Sequence, residues 1–437
     1  MTAPLLLRGR LLTFVRRPES LEDETSYRHW RDGGLLIENG RIIAVGAHDD
    51  IRQVAPDAVR EIDHRPNLIM PGFIDPHIHM PQMQVIGSYA ASLLEWLNTY
   101  TFVEEQRFDD PAHAARIAGL FLDELIRQGT TTALSYCSVH KASADAYFTA
   151  AEKRGMLMAG GKVMMDRNAP EALRDTAQSG YDDTKALIAT WQGRGRAHVA
   201  ITPRFAVTST GEQMEMAGTL AREHPDLLIQ THLSENHDEI ALACQLYPQA
   251  RDYTDIYARY GLLTDKALFG HCIHLSAREI AAMSEAKSVA VFCPTSNLFL
   301  GSGLFDLMRF EQGENPVRTA IATDVGGGTS YSMLKTLDEA YKVTQLRGGR
   351  LNPLAGFFHI TLGNAQAMGL ADRIGTLEPG SDADLVVLEA RATPAMRLKM
   401  ERVETLAEEL FLIQTLGDDR AVAAVYVAGE ERKAALA

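Results

Sequence analysis

Eight short apolar runs follow one another along the middle of the chain, at residues 73–78, 131–136, 157–165, 198–202, 227–231, 267–271, 289–293 and 319–323. Helix-like stretches separate most of them. Strands that are apolar throughout and joined by helical crossovers belong to parallel sheets covered on both faces. Eight such units suit a closed (β/α)8 barrel. One helical stretch carries clear end signals. Asp110-Pro111 offers an N-cap followed by proline at the first helical position, Ile117, Leu120, Phe121 and Leu125 then share a face, and Gly129 closes it.

The flanks read differently. Residues 5–15 are mixed apolar and basic, and 35–37 and 42–45 bracket Asn39-Gly40, a dipeptide suited to the positive φ angles of a type I′ hairpin turn. Strand texture returns at 383–388 and 421–427. The simplest arrangement pairs the two flanks. The expected fold class is therefore α/β: a (β/α)8 TIM-like barrel over residues 71–370, with a small β-sandwich domain formed by the N- and C-terminal segments, 1–70 and 371–437. A chain of 437 residues is long enough for both.

Composition narrows the partners. The formal net charge is −14 and the basic residues are scattered, which argues against nucleic acid and for a small-molecule substrate. No apolar run approaches the roughly 20 residues a membrane span needs. The first apolar run is cut by Arg8 and Arg10, unlike a signal peptide. Cys137, Cys244, Cys272 and Cys293 form no C-x-x-C pair and suit reduced thiols, so a cytoplasmic location is expected. A homodimer is the expected assembly, because symmetric dimers are the commonest.

Chemistry concentrates where the apolar runs end, the face that carries active sites in barrels. The first run ends Asp75-Pro76-His77-Ile78-His79. Residues two apart on a strand share a side, so His77 and His79 can hold one metal ion together. On its own, an H-x-H is equally well two polar residues at a strand end. The fifth run leads into His232 and then Glu235, whose carboxylate could reach a metal's water; the plainer alternative is a solvated loop glutamate. The sixth ends at His271. The eighth leads into Asp324, an aspartate costly to bury without a cation or hydrogen bonds, followed by Gly326-Gly327-Gly328. Together the set suits a divalent metal with an open position for water. His29, His48, His64, His113, His224 and His359 read as solvated or capping residues.

The run Pro71-Gly72-Phe73-Ile74-Asp75-Pro76-His77-Ile78-His79 resembles the first-strand signature of the amidohydrolase superfamily, and Leu377-Glu378-Pro379-Gly380-Ser381-Asp382-Ala383-Asp384 resembles its re-entry into the β domain. Narrower strings resemble the guanine deaminases within it: Met80-Pro81-Gln82-Met83-Gln84, Ser92-Leu93-Leu94-Glu95-Trp96-Leu97, Thr202-Pro203-Arg204-Phe205-Ala206, Cys293-Pro294-Thr295-Ser296-Asn297 and Thr323-Asp324-Val325-Gly326. The resemblance implies zinc-dependent hydrolytic deamination of guanine to xanthine and ammonia. It implies one Zn2+ per chain, with Fe2+ as the alternative metal, held by His77, His79, His232 and Asp324. It implies catalytic roles for Glu235, His271 and Asp324, and purine contacts from Gln82, Arg204 and Phe205. Two-metal relatives carry a bridging lysine where this chain carries Arg204, which favours one metal. The competing readings are a deaminase of a related ring (8-oxoguanine, a pterin or a triazine) and a metal-free scaffold relative. Residues 80–108 are long enough to form a lid.

Overall fold

The computed structural model describes residues 4–89 and 93–433. Ser92 of the loop motif, and residues 1–3 and 434–437 at the outer ends of the flanking segments, lie outside the described residues.

Fifteen strands are present among the described residues. Four precede the barrel: β1 (Leu5–Phe14), β2 (Tyr27–Glu38), β3 (Arg41–Ala47) and β4 (Arg60–Pro71). Eight build it: β5 (Phe73–His79), β6 (Thr130–Tyr136), β7 (Leu157–Gly161), β8 (Ala197–Ile201), β9 (Leu228–Leu233), β10 (Ala267–His271), β11 (Val289–Phe292) and β12 (Arg318–Ile321). Three follow: β13 (Leu385–Leu388), β14 (Val422–Val427) and β15 (Glu430–Glu431).

The flanking strands join as expected, in one seven-stranded mixed sheet ordered β15-β14-β13-β4-β1-β2-β3. Asn39 and Gly40 turn β2 into β3 with φ of 51° and 78°. Leu7, Leu35, Ile42, Ile69, Leu385 and Tyr426, from six strands, bury one face in a single apolar cluster. Alternate residues of the central strands, among them Phe14, Leu68, Met70, Val386 and Leu388, belong instead to the main core shared with the barrel helices. Strand periodicity thus packs the sheet on both faces.

The eight barrel strands run in the order β5 to β12, all parallel. Each contributes to one interior cluster, which includes Ile74, Leu134, Ala159, Ala200, Leu228, Leu268, Val291 and Ala320. The seam between β12 and β5 is closed by side chains. The Asn364 amide donates to Ile74 O (2.7 Å) and Ile321 O (2.8 Å), and Thr323 hydrogen-bonds the buried Asp75 carboxylate through both its amide and its hydroxyl. Above these, Asp324 N donates to His77 O (2.9 Å) and His79 N to Val325 O (2.9 Å).

Three local expectations need correction. The 157–165 strand stops at Gly161, and Met164 only bridges Pro203 beyond it. The helix Pro111–Arg127 is capped as expected, Asp110 accepting from Ala112 N at 2.9 Å, but Leu120 is 47% exposed. Its buried stripe centres on Ala118, Phe121 and Leu125, and at 100° per residue Leu120 falls outside it. His48, His113 and His359 are buried, not solvated; His359 faces Glu311 at 3.0 Å and His48 faces Glu61 at 2.9 Å.

Candidate active site

The strand register places the candidate ligand set. In β5 the pairing slips between Asp75 and Ile78, around Pro76. Strict alternation from the inward Ile74 would turn His77 outward. The slip resets the parity, so Ile78 packs in the outer core while His77 and His79 meet the other histidines inside the mouth. At the ends of β9, β10 and β12 the chain turns sharply. Ser234, His271, Cys272 and Asp324 take positive φ of 52°, 73°, 51° and 50°. Non-glycine residues are uncommon in that region, and such strain gathers at functional sites.

His77, His79, His232 and Asp324 bring one ligand atom each within 4.8 Å of one another. His79 Nε2 lies 3.2 Å from His232 Nε2 and 3.1 Å from Asp324 Oδ1, and His77 Nε2 lies 3.3 Å from the same oxygen. A tetrahedral metal with bonds of about 2.0–2.1 Å has ligand–ligand edges near 3.3 Å. Hydrogen bonding alone does not account for the cluster, because both ring nitrogens of buried His77 have no hydrogen-bond partner. The tautomers also fit: His232 Nδ1 donates to Arg204 O at 2.7 Å, which leaves Nε2 as a lone pair aimed at the centre. Burial pulls His79 down to about 4 and His232 well below its usual range, with neighbouring imidazoles adding to the shift of His232. Both rings are neutral and able to ligate. Asp324 stays ionised, because His77 and His79 outweigh the opposing effect of burial. An overlapping set exchanges His79 and His232 for His271 and Cys293, whose thiol burial pushes well above its usual range.

Beside this cage, Glu235 Oε2 lies 3.4 Å from His271 Nε2, and Ser302 Oγ donates to Glu235 Oε1 at 2.9 Å. Burial first, and the charge of Asp324 second, push the Glu235 carboxyl up to about 8 despite the Ser302 hydrogen bond. His271 Nδ1 donates to Asn297 Oδ1 at 2.9 Å, which turns its Nε2 toward Glu235 and toward Asp324 Oδ2, 3.7 Å away. Glu235, His271 and Asp324 thus surround the open side of the cage.

A small cavity opens over this group. Gln82, Arg204 and Phe205 line it together with His79, His232, Glu235, His271 and Asp324, so every candidate residue except His77 faces the same space. Leu93, Trp96, Leu97 and Leu300 supply apolar walls. Such a cavity, mostly apolar with a few converging polar groups, suits a small flat ring.

Four supporting residues escaped sequence reasoning. Glu105 is buried behind Gln82 and Arg204 and accepts from both, at 2.9 and 2.6 Å. Ser302 and Asn297 orient Glu235 and His271. Tyr136 stacks on His79 with centroids 4.5 Å apart and lies 5.0 Å from His77. Only Asn297 stood in a quoted motif, and nothing there pointed to its partner.

Residues 68–432 match the sequence profile of the amidohydrolase family. The chain is 47% identical to a guanine deaminase of Escherichia coli K12, over 97% of this chain and 96% of that protein. The solved structure of an E. coli guanine deaminase superposes with a TM-score of 0.95 at 46% identity, covering 98% of this chain and 99% of that one. The structure of a guanine deaminase from C. acetobutylicum with bound guanine in the active site gives a TM-score of 0.87 at 29% identity over 98% of this chain and 99% of that one.

Proposed function

The chain belongs to the amidohydrolase family, and from that premise we propose that it is a guanine deaminase, hydrolysing guanine to xanthine and ammonia. The observation that carries the reading is the single cavity shared by the ligand set, Glu235 and the Gln82, Arg204 and Phe205 side chains. Chemistry and recognition face one small ring there.

His77, His79, His232 and Asp324 would hold one zinc ion per chain, with ferrous iron the alternative. Zinc in a site of this kind lowers the pKa of a coordinated water to about 7 and so supplies a nucleophile at neutral pH. Arg204, whose guanidinium offers a fixed fork of donors, holds the guanine O6. Phe205 covers a ring face, and Gln82 takes a neighbouring polar edge. Glu235, raised to about 8, is protonated at neutral pH and gives its proton to ring N3, which makes C2 electrophilic. The resulting carboxylate then accepts a proton from the attacking water, passes it to the departing amine, and is reprotonated by the new C2 hydroxyl as that becomes the carbonyl. His271 and Asp324 orient that water from the other side. Balanced acid–base work of this kind contributes roughly 10²- to 10⁴-fold.

The reading extends to residues 71–370 as the hydrolase barrel with the flanks as a separate small β domain. It extends also to a cytoplasmic homodimer. Four free cysteines support the reducing compartment, and no helix among the described residues is long and apolar enough to cross a membrane.

The deciding experiment is ammonia release by the purified, zinc-loaded protein with guanine, 8-oxoguanine, adenine and cytosine in parallel. Turnover confined to guanine is expected. A metal-loaded protein that leaves guanine untouched overturns the substrate assignment.

A further inference from the structure

Glu105 does not line the cavity, yet it holds two residues that do. Its carboxylate is almost completely buried at the end of the short helix Phe102–Glu105. Oε1 accepts from Gln82 Nε2 at 2.9 Å, and Oε2 accepts from Arg204 Nη1 at 2.6 Å. Its own backbone carbonyl accepts from Ser138 Oγ at 3.1 Å, which ties this turn to the end of β6. The Arg204 guanidinium lies over the Phe102 ring, 5.3 Å from the centroid. A residue after β5 and a residue after β8 are thereby clamped from one point.

The hydrogen-bond inventory makes the clamp directional. An ionised carboxylate only accepts, so Gln82 must turn its NH2 toward Glu105. On the other side Gly326 N–H, which only donates, points at Gln82 Oε1 from 3.3 Å. A flipped Gln82 would face donor with donor and acceptor with acceptor. Gly326 comes this close because it has no side chain; a Cβ there would lie 2.7 Å from Gln82 Cβ. Gln82 Oε1 keeps a second lone pair, and Arg204 keeps N–H groups beyond the one bound to Glu105. The recognition edge therefore carries its polarity in a fixed order, donor from Arg204 and acceptor from Gln82. That order matches a 6-oxopurine, whose O6 accepts and whose adjacent N1–H donates. A 6-aminopurine carries the reverse order.

We propose that Glu105 is a positioning residue that sets the donor–acceptor order of the purine-recognition edge and so discriminates 6-oxo from 6-amino rings. This rests on the purine-deaminating reading above. Glu105→Gln is the informative change. If its carbonyl keeps Arg204, its NH2 faces Gln82, and Gln82 must flip to answer it.

The test compares guanine with 2,6-diaminopurine, which has the same 2-amino leaving group but a 6-amino group and an N1 that accepts. The ratio of kcat/KM for guanine to that for 2,6-diaminopurine is measured, with Ki for the latter where its turnover is too slow to read. Glu105→Gln is expected to lower the ratio about 10- to 100-fold, the scale of a mismatched buried hydrogen bond. The loss should appear in the guanine KM, with kcat at saturation and bound zinc within a few-fold of the parent. Glu105→Asp, shorter but still acceptor-only, should raise KM and keep the ratio. An unchanged ratio in Glu105→Gln, or an equal fall in kcat for both rings, overturns the proposal. The unsubstituted protein separates the two levels: failure to turn over guanine there removes the deaminase reading and this inference with it, whereas failure confined to the variant ratio removes only the inference.

Discussion

Gly270 tests the cage without touching a ligand. It lies in β10 between His232 of β9 and Val291 of β11, in extended backbone that alanine also adopts. A Cβ built on it would stand 2.4 Å from His77 Cε1, 3.0 Å from Nδ1 and 3.1 Å from Nε2. Carbon atoms in contact prefer about 3.5–4.0 Å, so the His77 ring must recede by about 1.1 Å or more. It has nowhere to go: the rings of His79, His232, His271 and Tyr136 surround it with centroids 4.8 to 5.5 Å away. A metal site tolerates displacements of about 0.2 Å in its bond lengths. Gly270→Ala should therefore cost at least the 10- to 100-fold in metal affinity or activity seen when supporting groups of metal ligands are changed. Overpacking adds roughly 1–3 kcal/mol of destabilisation. Metal content is read by elemental analysis after dialysis against graded chelator, alongside kcat/KM for guanine. Gly119→Ala is the control, because its Cβ meets only a flexible Arg154 nitrogen at 3.7 Å. A Gly270→Ala protein that binds zinc as tightly as the parent and turns over guanine normally would refute the assignment of His77 as a ligand.

Arg204→Ala should lose most guanine turnover yet keep zinc, because the group that holds His232 is the Arg204 carbonyl and not its side chain. It also leaves Glu105 buried without its cation, at a cost of about 3–5 kcal/mol; a parallel loss of metal would contradict the assigned role. Glu235→Gln should fold and hold zinc but turn over roughly 10²- to 10⁴-fold more slowly, and near-normal rates would sink the proton-shuttle role. Away from the site, burial would raise the Glu311 carboxyl, but His359, Arg17 and Thr319 together lower it to about 2. A depressed folded pKa stabilises the protein fully above the unfolded value near 4.5 and loses that contribution as pH falls toward 2. That contribution is on the order of 3 kcal/mol. Urea midpoints of Glu311→Gln should fall below the parent at pH 6 and converge with it near pH 2–3; a gap independent of pH would disprove the linkage.

The barrel was legible because its signals are local. Each strand is a short apolar run, and the candidate site residues sit at or just past the run's end, so His77, His79, His232, His271 and Asp324 could be placed from spacing. What spacing could not supply was parity. Counting alternation up β5 from Ile74 would have turned His77 outward, and only the slip around Pro76 corrects it. Other errors concern burial. Leu120 is apolar but exposed, whereas His48, His113 and His359 are polar but buried. For two of these the environment is set by a carboxylate on another element: Glu311 faces His359 and Glu61 faces His48. Residue type alone predicts the average environment and not these pairings.

Glu105 shows why recognition is harder to read than chemistry. Its partners lie 23 and 99 positions away, and it follows Glu104 within the long segment after the first barrel strand. Nothing in the spacing marks it, because it neither ligates nor ends a strand. Metal chemistry needs a few ligands at fixed distances from one point, and strand ends around a barrel deliver them from short motifs. Selectivity needs the polarity of each donor and acceptor to be locked, and a side-chain amide locks only when groups on both sides agree. Here Glu105 comes from the loop after β5 and Gly326 from the turn after β12, on opposite sides of Gln82. On the proposed reading, substrate choice resides in contacts between loops, apart from the residues that would hold the metal.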